Sequence, residues 1–184
     1  MNYAVVIIDM TNDFVFGKLG TKGSSTVISP LQKLISFVHK KKIPIIYVSD
    51  AHDRNEPEMK AGKKYSIKGT KGAQIISELK PSLQDYCLEK RTYSGFFQTS
   101  LNSLLHRLQI TNVIITGLET DICIQYTAVD AFKNGYYITV PKETTKAARE
   151  KAYWNGLNYL KTRYGANICR LDDLLDQISN KIHV

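Results

Sequence analysis

Apolar runs and amphipathic stretches alternate along nearly the whole chain. The first run, residues 3–9, is rich in Val and Ile, which is typical of a strand buried on both faces of a sheet. Later runs are shorter or more mixed in composition but are bounded by polar residues and turn formers in the same way. We predict strands at residues 3–9, 43–49, 85–89, 112–116, 136–140 and 168–169.

Between the strands, apolar residues recur three and four positions apart, which predicts helices with one buried face. Leu31, Leu34, Ile35 and Val38 form the clearest stripe. Further helices are predicted at residues 72–79 and 121–134 and around the stripes at 101–108, 153–164 and 171–178. We therefore predict a single α/β domain over residues 1–184, a doubly wound sheet of about six mainly parallel strands with helices on both faces.

The net charge of the chain is +8, and lysines are concentrated in the polar segment 50–71, which has no periodicity. Loops of this length are usually functional or mobile. A basic surface can bind nucleic acid, but the sequence contains no zinc-finger spacing, RNA-recognition motif or helix-turn-helix signature. We therefore expect a generic basic surface and no nucleic-acid partner.

The apolar stretches are all shorter than the roughly 20 residues that a membrane span requires, so we expect no membrane partner. The N-terminal residues lack the basic region and cleavage site of a signal peptide and are interpreted as the first strand. The three cysteines include no Cys-x-x-Cys pair, and we expect Cys87 and Cys169 in the core. This pattern favours a reducing, cytoplasmic location over a disulfide framework or a zinc cluster.

Three chemically reactive side chains follow predicted strands. Asp9 ends the first strand, Lys90 follows the strand at 85–89, and Cys123 lies in the first turn of a helix after the strand at 112–116. Ligands of open α/β sheets bind beyond the carboxyl ends of the strands, so these side chains are expected on one rim. The helix N-terminus favours a thiolate at Cys123, Asp9 can accept the thiol proton, and Lys90 can stabilise both anions.

Each of these residues also has an ordinary structural interpretation. Cys123 can be a small buried hydrophobic residue, Asp9 can cap a turn, and Lys90 can lie on the surface. A triad based on histidine is not favoured, because His39 and His106 lie within predicted helices. The glycine motifs of nucleotide-binding sites are absent as well.

Ordered sequence motifs give the chain a resemblance to a known family. They include Ile-Asp-Met-Thr-Asn-Asp-Phe at 8–14, Glu-Lys-Arg-Thr-Tyr-Ser-Gly-Phe-Phe at 89–97 and Thr-Gly-Leu-Glu-Thr-Asp-Ile-Cys at 116–123. Further matches lie at 49–52, 67–73, 128–132 and 164–166. The chain resembles the isochorismatase-like cysteine hydrolases, in particular their nicotinamidase and pyrazinamidase branch.

The resemblance implies a catalytic triad at Asp9, Lys90 and Cys123. It also implies a cis peptide bond between Leu118 and Glu119, with the backbone N–H groups of Glu119 and Cys123 forming the oxyanion hole. Cleavage of a small carboxamide to acid and ammonia through a Cys123 thioester is the implied reaction, and the triad itself requires no cofactor. Homo-oligomers are expected on the same basis.

Substrate and metal sites are implied as well. Phe14 matches the aromatic residue that packs on the substrate ring, and we place Tyr65 and Tyr93 beside it as substrate-binding residues. Asp50 and His52 match an Asp-x-His pair that binds a divalent metal such as Zn²⁺ in nicotinamidases.

The metal site departs from the family pattern, because its third ligand position is occupied by Tyr65 and Gly62 replaces a nearby aromatic residue. Two ligands suffice only if another side chain such as Asp53 or Glu56 joins them. Otherwise Asp50 and His52 are a hydrogen-bonded pair at a strand end. Three functions remain open: a carboxamide hydrolase, a family hydrolase acting on an N-carbamoyl or vinyl-ether substrate, and a non-enzymatic binding protein.

Overall fold

A single parallel sheet of seven strands organises the molecule. The computed structural model describes residues 2–17, 19–56, 60 and 64–181. The strands are β1 (Tyr3–Ile8), β2 (Ile45–Asp50), β3 (Tyr86–Lys90), β4 (Asn112–Leu118), β5 (Tyr137–Pro141), β6 (Thr145–Lys146) and β7 (Asn167–Cys169). Their order is β3-β2-β1-β4-β5-β7, and β6 pairs with β4 beyond the end of β5. The predicted parallel α/β fold is therefore confirmed.

Helices cover both faces of this sheet. The described α-helices are α1 (Asn12–Val15), α2 (Ile28–Lys40), α3 (Leu101–Arg107), α4 (Cys123–Lys133), α5 (Glu150–Tyr164) and α6 (Leu171–Lys181). None of these described helices is long and apolar enough to cross a membrane.

The core consists of two apolar layers, one on each side of the sheet. Val6 and Ile8 of β1 face the layer formed with α3, α4 and α5, whereas Val5 and Ile7 face the layer formed with α2 and α6. All four side chains are fully buried. Burying one such side chain stabilises the fold by about 1.5–3 kcal/mol, so the Val- and Ile-rich composition of β1 follows from its position between two layers.

The prediction of a helix at 72–79 is wrong. This segment forms two short 3₁₀ turns, Lys71–Ala73 and Ser77–Leu79, separated by extended backbone. The backbone N–H of Ile76 donates to the Met10 carbonyl at 3.0 Å, and Ile75 bridges to Thr11. A pairing with the segment after β1 thus replaces the intrahelical hydrogen bonds that the local sequence predicted.

Two cysteines differ from their predicted positions in the core. Cys87 is exposed and Cys169 is only half-buried. β3 is an edge strand in the described sheet, and its first four residues alternate between partly buried and exposed positions before the buried Lys90. Cys87 therefore lies on the exposed face of β3, although its neighbours in the sequence are apolar.

Strand order brings the candidate residues together. β3, β2, β1 and β4 are consecutive neighbours, so their carboxyl ends form one continuous rim. The end of β4 lies unusually close to β1: a Cβ atom at Gly117 would lie 2.0 Å from the Ile8 carbonyl oxygen. Gly117 also has a φ of +107°, a conformation that residues with side chains rarely adopt. A glycine is therefore required where the candidate site begins.

Candidate active site

The ammonium group of Lys90 lies at the centre of a buried cluster of charges. Its Nζ atom is 2.7 Å from Asp9 Oδ2, 2.5 Å from Asp50 Oδ1 and 3.7 Å from Cys123 Sγ. It also donates to the Thr92 carbonyl at 3.1 Å. The structure thus brings together the three strand-end residues of the sequence analysis and adds Asp50 as a second carboxylate on Lys90.

Asp9 is fully buried, which makes its negative charge costly unless it is compensated. Its Oδ1 atom accepts the backbone N–H of Asp50 at 2.9 Å, and Lys90 pairs with Oδ2. Burial raises the pKa of Asp9 to about 6; the Lys90 charge opposes this rise and the Asp50 charge adds to it. Asp9 is therefore ionised at neutral pH but can accept a proton readily.

Burial and neighbouring charges also shift the pKa values of the other two members of the cluster, Lys90 and Cys123. Burial alone would lower the pKa of Lys90, but the charges of Asp9, Cys123 and Asp50 raise it above its usual range. Burial and the Asp9 charge raise the pKa of Cys123 well above its usual value, although Lys90 opposes them. The helix N-terminus favours a thiolate at Cys123, whereas burial and the Asp9 charge act in the opposite direction and favour the thiol.

The turn between β4 and α4 places Cys123 and a pair of backbone donors. The peptide bond Leu118–Glu119 is cis. The Glu119 carbonyl accepts the N–H groups of Ile122 and Ile124, each at 3.1 Å, which folds the turn back on itself. Among the described residues, the N–H groups of Glu119 and Cys123 have no hydrogen-bond acceptor. Two unpaired donors thus flank the thiol where helix α4 begins.

Asp50 and His52 lie together but do not form a metal site with the residues that the structure describes. His52 Nδ1 is 2.8 Å from Glu56 Oε2, and His52 Nε2 is 3.6 Å from Asp50 Oδ2. The ring of Tyr65 packs edge-on against the His52 ring, with centroids 5.3 Å apart. The described residues include no group of three His, Cys, Asp or Glu arranged to hold a metal.

The chemistry of these donors does not fit a tightly bound divalent ion. Asp50 already pairs with the Lys90 ammonium. The pKa of His52 is raised by its hydrogen bonds to Asp50 and Glu56, although burial opposes this rise. A raised pKa makes proton binding compete with metal binding at His52, and a phenol is a poor ligand for zinc. Glu56, named above as a possible extra ligand, binds His52 instead, and Asp53 pairs with Arg91. Gly62 and its neighbour Lys63 lie outside the described residues.

A cavity of about 760 Å³ opens above Cys123. Its volume is within the range of small-molecule sites. The lining residues are Asp13, Phe14, Gly17, Leu19, Asp50, Lys64, Tyr65, Tyr93, Glu119, Ile122 and Cys123. The three aromatic residues expected to bind substrate are thus all found in its wall.

Sequence reasoning missed one contact in this cavity. The hydroxyl of Thr21 donates to the side-chain carboxylate of Glu119. Thr21 lies almost a hundred positions away in a loop without periodicity, so nothing in the sequence pattern indicates this contact. The family resemblance implies a role for the backbone N–H of Glu119 in the oxyanion hole but none for its side chain.

Comparisons with known proteins agree with this geometry. The family model described as the isochorismatase domain matches residues 3–173. The crystal structure of N-carbamoylsarcosine amidase from Thermoplasma acidophilum is 37% identical, with a TM-score of 0.86, and the match covers 94% of this chain and 98% of that one.

Two further structures are similar. The nicotinamidase/pyrazinamidase PncA from Bacillus subtilis is 26% identical with a TM-score of 0.84, over 92% of this chain and 100% of that one. The pyrazinamidase of Pyrococcus horikoshii, solved in complex with zinc, shares the fold at 23% identity and a TM-score of 0.85, over 92% of this chain and 99% of that one. With the family model spanning most of its length, the chain belongs to the isochorismatase family of hydrolases.

Proposed function

We propose that the protein is a cysteine amidohydrolase that cleaves a small carboxamide to the acid and ammonia. The observation that carries this proposal is the position of Lys90, which contacts Asp9 at 2.7 Å and lies 3.7 Å from Cys123 Sγ beneath a cavity. A base, a cation and a nucleophile in contact at the floor of a cavity are the components of acyl transfer to a thiol. Relatives named as amidases support this class of reaction.

In the first half-reaction, Cys123 Sγ attacks the carbonyl carbon of the amide. The thiol proton passes to the Asp9 carboxylate, whose raised pKa suits it to accept a proton. The carbonyl oxygen becomes an oxyanion, which the N–H groups of Glu119 and Cys123 stabilise. Asp9 then gives its proton to the amide nitrogen, the C–N bond breaks, and ammonia leaves a thioester on Cys123.

In the second half-reaction, water attacks the thioester carbonyl. Asp9 accepts a proton from the water, the C–S bond breaks, and the proton returns to the Cys123 sulfur. The product is the free carboxylic acid, so one amide and one water yield one acid and one ammonia. No metal takes part in either step.

Lys90 stabilises the negative charge that moves through the site. Asp9, Asp50 and the developing thiolate are three possible anions around one ammonium group. As the thiol loses its proton to Asp9, the charge moves from the carboxylate to the sulfur while remaining beside Lys90. The low dielectric of the buried cluster strengthens this interaction relative to water.

A flat, ring-bearing carboxamide suits the cavity best. Phe14 and Tyr65 pack edge to face with centroids 6.0 Å apart, and Tyr93 forms another part of the wall. We propose that these three residues contact the ring of a nicotinamide-like substrate. Aromatic walls bind such rings by stacking or edge-to-face contact.

Hydrolysis of an N-carbamoyl compound is the second candidate. It is favoured by the 37% identity to the Thermoplasma acidophilum N-carbamoylsarcosine amidase. The same triad would attack the carbamoyl carbon, and the products would include carbon dioxide as well as ammonia. The two candidates are therefore distinguished by their products rather than by their residues.

Ammonia release from a panel of carboxamides and N-carbamoyl compounds tests the proposal. The panel includes nicotinamide and pyrazinamide, and each active reaction is analysed for the free acid and for carbon dioxide. We expect ammonia with the free acid, and loss of both in Cys123→Ala. Cys87→Ala, which removes an exposed cysteine, is the matched control and retains activity. Equal rates for the wild type and Cys123→Ala would contradict the proposal.

We further propose that the protein acts in the cytoplasm, as its cysteine pattern suggests, and as a homo-oligomer, as the family resemblance implies. A surface aromatic cluster of Phe132, Tyr159 and Tyr164 supports an association surface. Phe132 is 48% exposed, and exposed clusters of large apolar side chains often mark contact surfaces. Light scattering of the wild type and Phe132→Ser tests this part of the proposal.

A further inference from the structure

The side chain of Glu119 is a carboxylate in the wall of the cavity above Cys123. It is partly buried, and its Oε1 atom accepts the hydroxyl of Thr21. Its second oxygen has no hydrogen-bond partner, and no cation forms an ion pair with it, among the residues that the structure describes. Within that part of the chain, Glu119 therefore presents a carboxylate oxygen that no cation neutralises.

The other acidic residues of the cavity already have partners. Asp50 pairs with Lys90, and Asp13 Oδ2 accepts the backbone N–H of Ser66 at 2.8 Å. Asp13 is also enclosed by Gly72, where a Cβ atom would lie 2.1 Å from the same oxygen. Lys64 also lines the cavity, but its side chain is exposed to solvent and forms no ion pair with Glu119. Among the acidic residues described in the cavity wall, Glu119 is therefore the one without a cationic or backbone N–H partner.

Thr21 holds the Glu119 carboxylate in a fixed place. Thr21 is 3% exposed, its backbone N–H donates to the Phe14 carbonyl at 3.1 Å, and its own carbonyl accepts the N–H of Ser24 at 2.8 Å. The hydroxyl that binds Glu119 is therefore anchored to helix α1, which carries the aromatic side chain of Phe14. A carboxylate fixed in this way is preorganised for a ligand, because little side-chain entropy is lost on binding.

We propose that Glu119 is a specificity residue that selects amides whose end remote from the carboxamide carries a positive charge, an inference that rests on the proposed function. The ammonium or iminium N–H of such a substrate donates to the free Glu119 oxygen while the carboxamide lies at Cys123. Phe14, Tyr65 and Tyr93 line the same cavity, and aromatic faces attract cations. Amides that carry a remote carboxylate are repelled by the same group.

The pKa of Glu119 is consistent with an unmatched acid. Burial raises it, the Thr21 hydrogen bond opposes this rise, and the charge of Asp121 adds to it. A bound cation would oppose both raising effects, because a positive charge beside the carboxyl group favours its ionised form. Substrate binding and Glu119 ionisation are therefore expected to support each other.

Two amides of nearly the same shape test this inference. Isonipecotamide carries a ring ammonium, and cyclohexanecarboxamide has a carbon atom at that position. Their binding is measured by calorimetry on Cys123→Ala, which cannot form the thioester, with and without Glu119→Gln. Ammonia release by the protein with Cys123 intact is measured in parallel. Glu78→Gln, at an exposed glutamate outside the cavity, is the matched control.

We expect the Cys123→Ala protein to bind isonipecotamide about tenfold more tightly than cyclohexanecarboxamide, as for one charge-assisted hydrogen bond. Glu119→Gln removes this preference, and Thr21→Val, which frees the carboxylate, reduces it. Glu78→Gln leaves it unchanged. The inference would be overturned if Cys123→Ala preferred the charged amide equally with and without Glu119→Gln. It would also be overturned if neither amide bound. If the charge preference is found but no amide releases ammonia, the proposed function fails and the specificity inference stands.

Discussion

At the scale of single residues, Lys90 forms ion pairs with two buried carboxylates, Asp9 and Asp50. Asp9 and Lys90 are each no more than 1% exposed, and Asp50 is 5% exposed. Removing one partner of such a cluster leaves an uncompensated charge in a low dielectric. We therefore expect the stability of the fold and the proposed chemistry of Cys123 to depend on the same ammonium group.

Lys90→Met is expected to abolish ammonia release and to lower the free energy of unfolding by about 3–5 kcal/mol, because Asp9 and Asp50 lose their shared cation. Urea denaturation measures the second effect. Lys68→Met is the matched control: its ion pair with Glu89 is on the surface, and its loss costs at most about 1 kcal/mol. Equal destabilisation by both variants would show that the buried cluster contributes no more to the free energy of unfolding than a surface ion pair does.

The rate is expected to rise with pH through about 6. Below this value Asp9, whose pKa is raised to about 6, holds a proton and cannot accept one from the Cys123 thiol. Above it the carboxylate is free, and kcat/KM reaches a plateau before other groups titrate. A profile of kcat/KM between pH 4.5 and 8 measures this rise. A profile that stays flat across pH 6 would exclude Asp9 as the base.

Chelation is expected to leave the activity unchanged, because Asp50 pairs with Lys90 and His52 with Glu56 instead of binding a metal. Elemental analysis of the purified protein and ammonia release after dialysis against a chelator measure this. One bound zinc per chain, with activity lost on its removal and restored by its return, would contradict the account.

Some residue-scale features were accessible from the sequence and others were not. Asp9, Lys90 and Cys123 could be placed on one rim because each follows a strand. The role of Asp50 as a partner of Lys90 could not, because it depends on which strands are neighbours. The rise in the Cys123 pKa could not be predicted either, because burial cannot be judged from position in a helix alone.

At the scale of secondary-structure elements, periodicity predicted the long helices and the strands between them. α6 is the simplest case, since its predicted stripe of Leu171, Leu174, Leu175 and Ile178 is buried throughout. β6 was missed because its two residues, Thr145 and Lys146, pair with Gly117 and Leu118 without any apolar run of their own. Short elements that exist only through long-range pairing have no local signal.

Gly117→Ala is expected to destabilise the protein by several kcal/mol, since the new Cβ atom would meet the Ile8 carbonyl oxygen at 2.0 Å. Gly135→Ala is the matched control. Gly135 also has a positive φ, of +85°, but a Cβ atom there would meet nothing within 4 Å. Its expected cost is therefore limited to about 1 kcal/mol of backbone strain. Thermal unfolding compares the two, and equal melting temperatures would exclude a role for the close approach of β4 to β1.

At the scale of the whole molecule, the parallel sheet gathers residues from distant parts of the chain at one rim. Asp9 follows β1, Lys90 ends β3 and Cys123 begins α4, yet all three contact one another through Lys90. The fold and family were predictable because strands, helices and motifs follow one another in a consistent order. The substrate was not, because the candidate cavity is lined in part by loops whose contacts, such as Thr21 with Glu119, have no sequence pattern.

The central claim is that Cys123 is acylated during turnover. It is tested most directly by acid-quenching the reaction with an active amide and measuring the intact protein by mass spectrometry, followed by peptide mapping. The account predicts a transient mass gain equal to the acyl group less one hydrogen, located on the peptide that contains Cys123 and absent in Cys123→Ala. Ammonia release that continues unchanged in Cys123→Ala, with no acyl adduct on the wild-type protein, would contradict it.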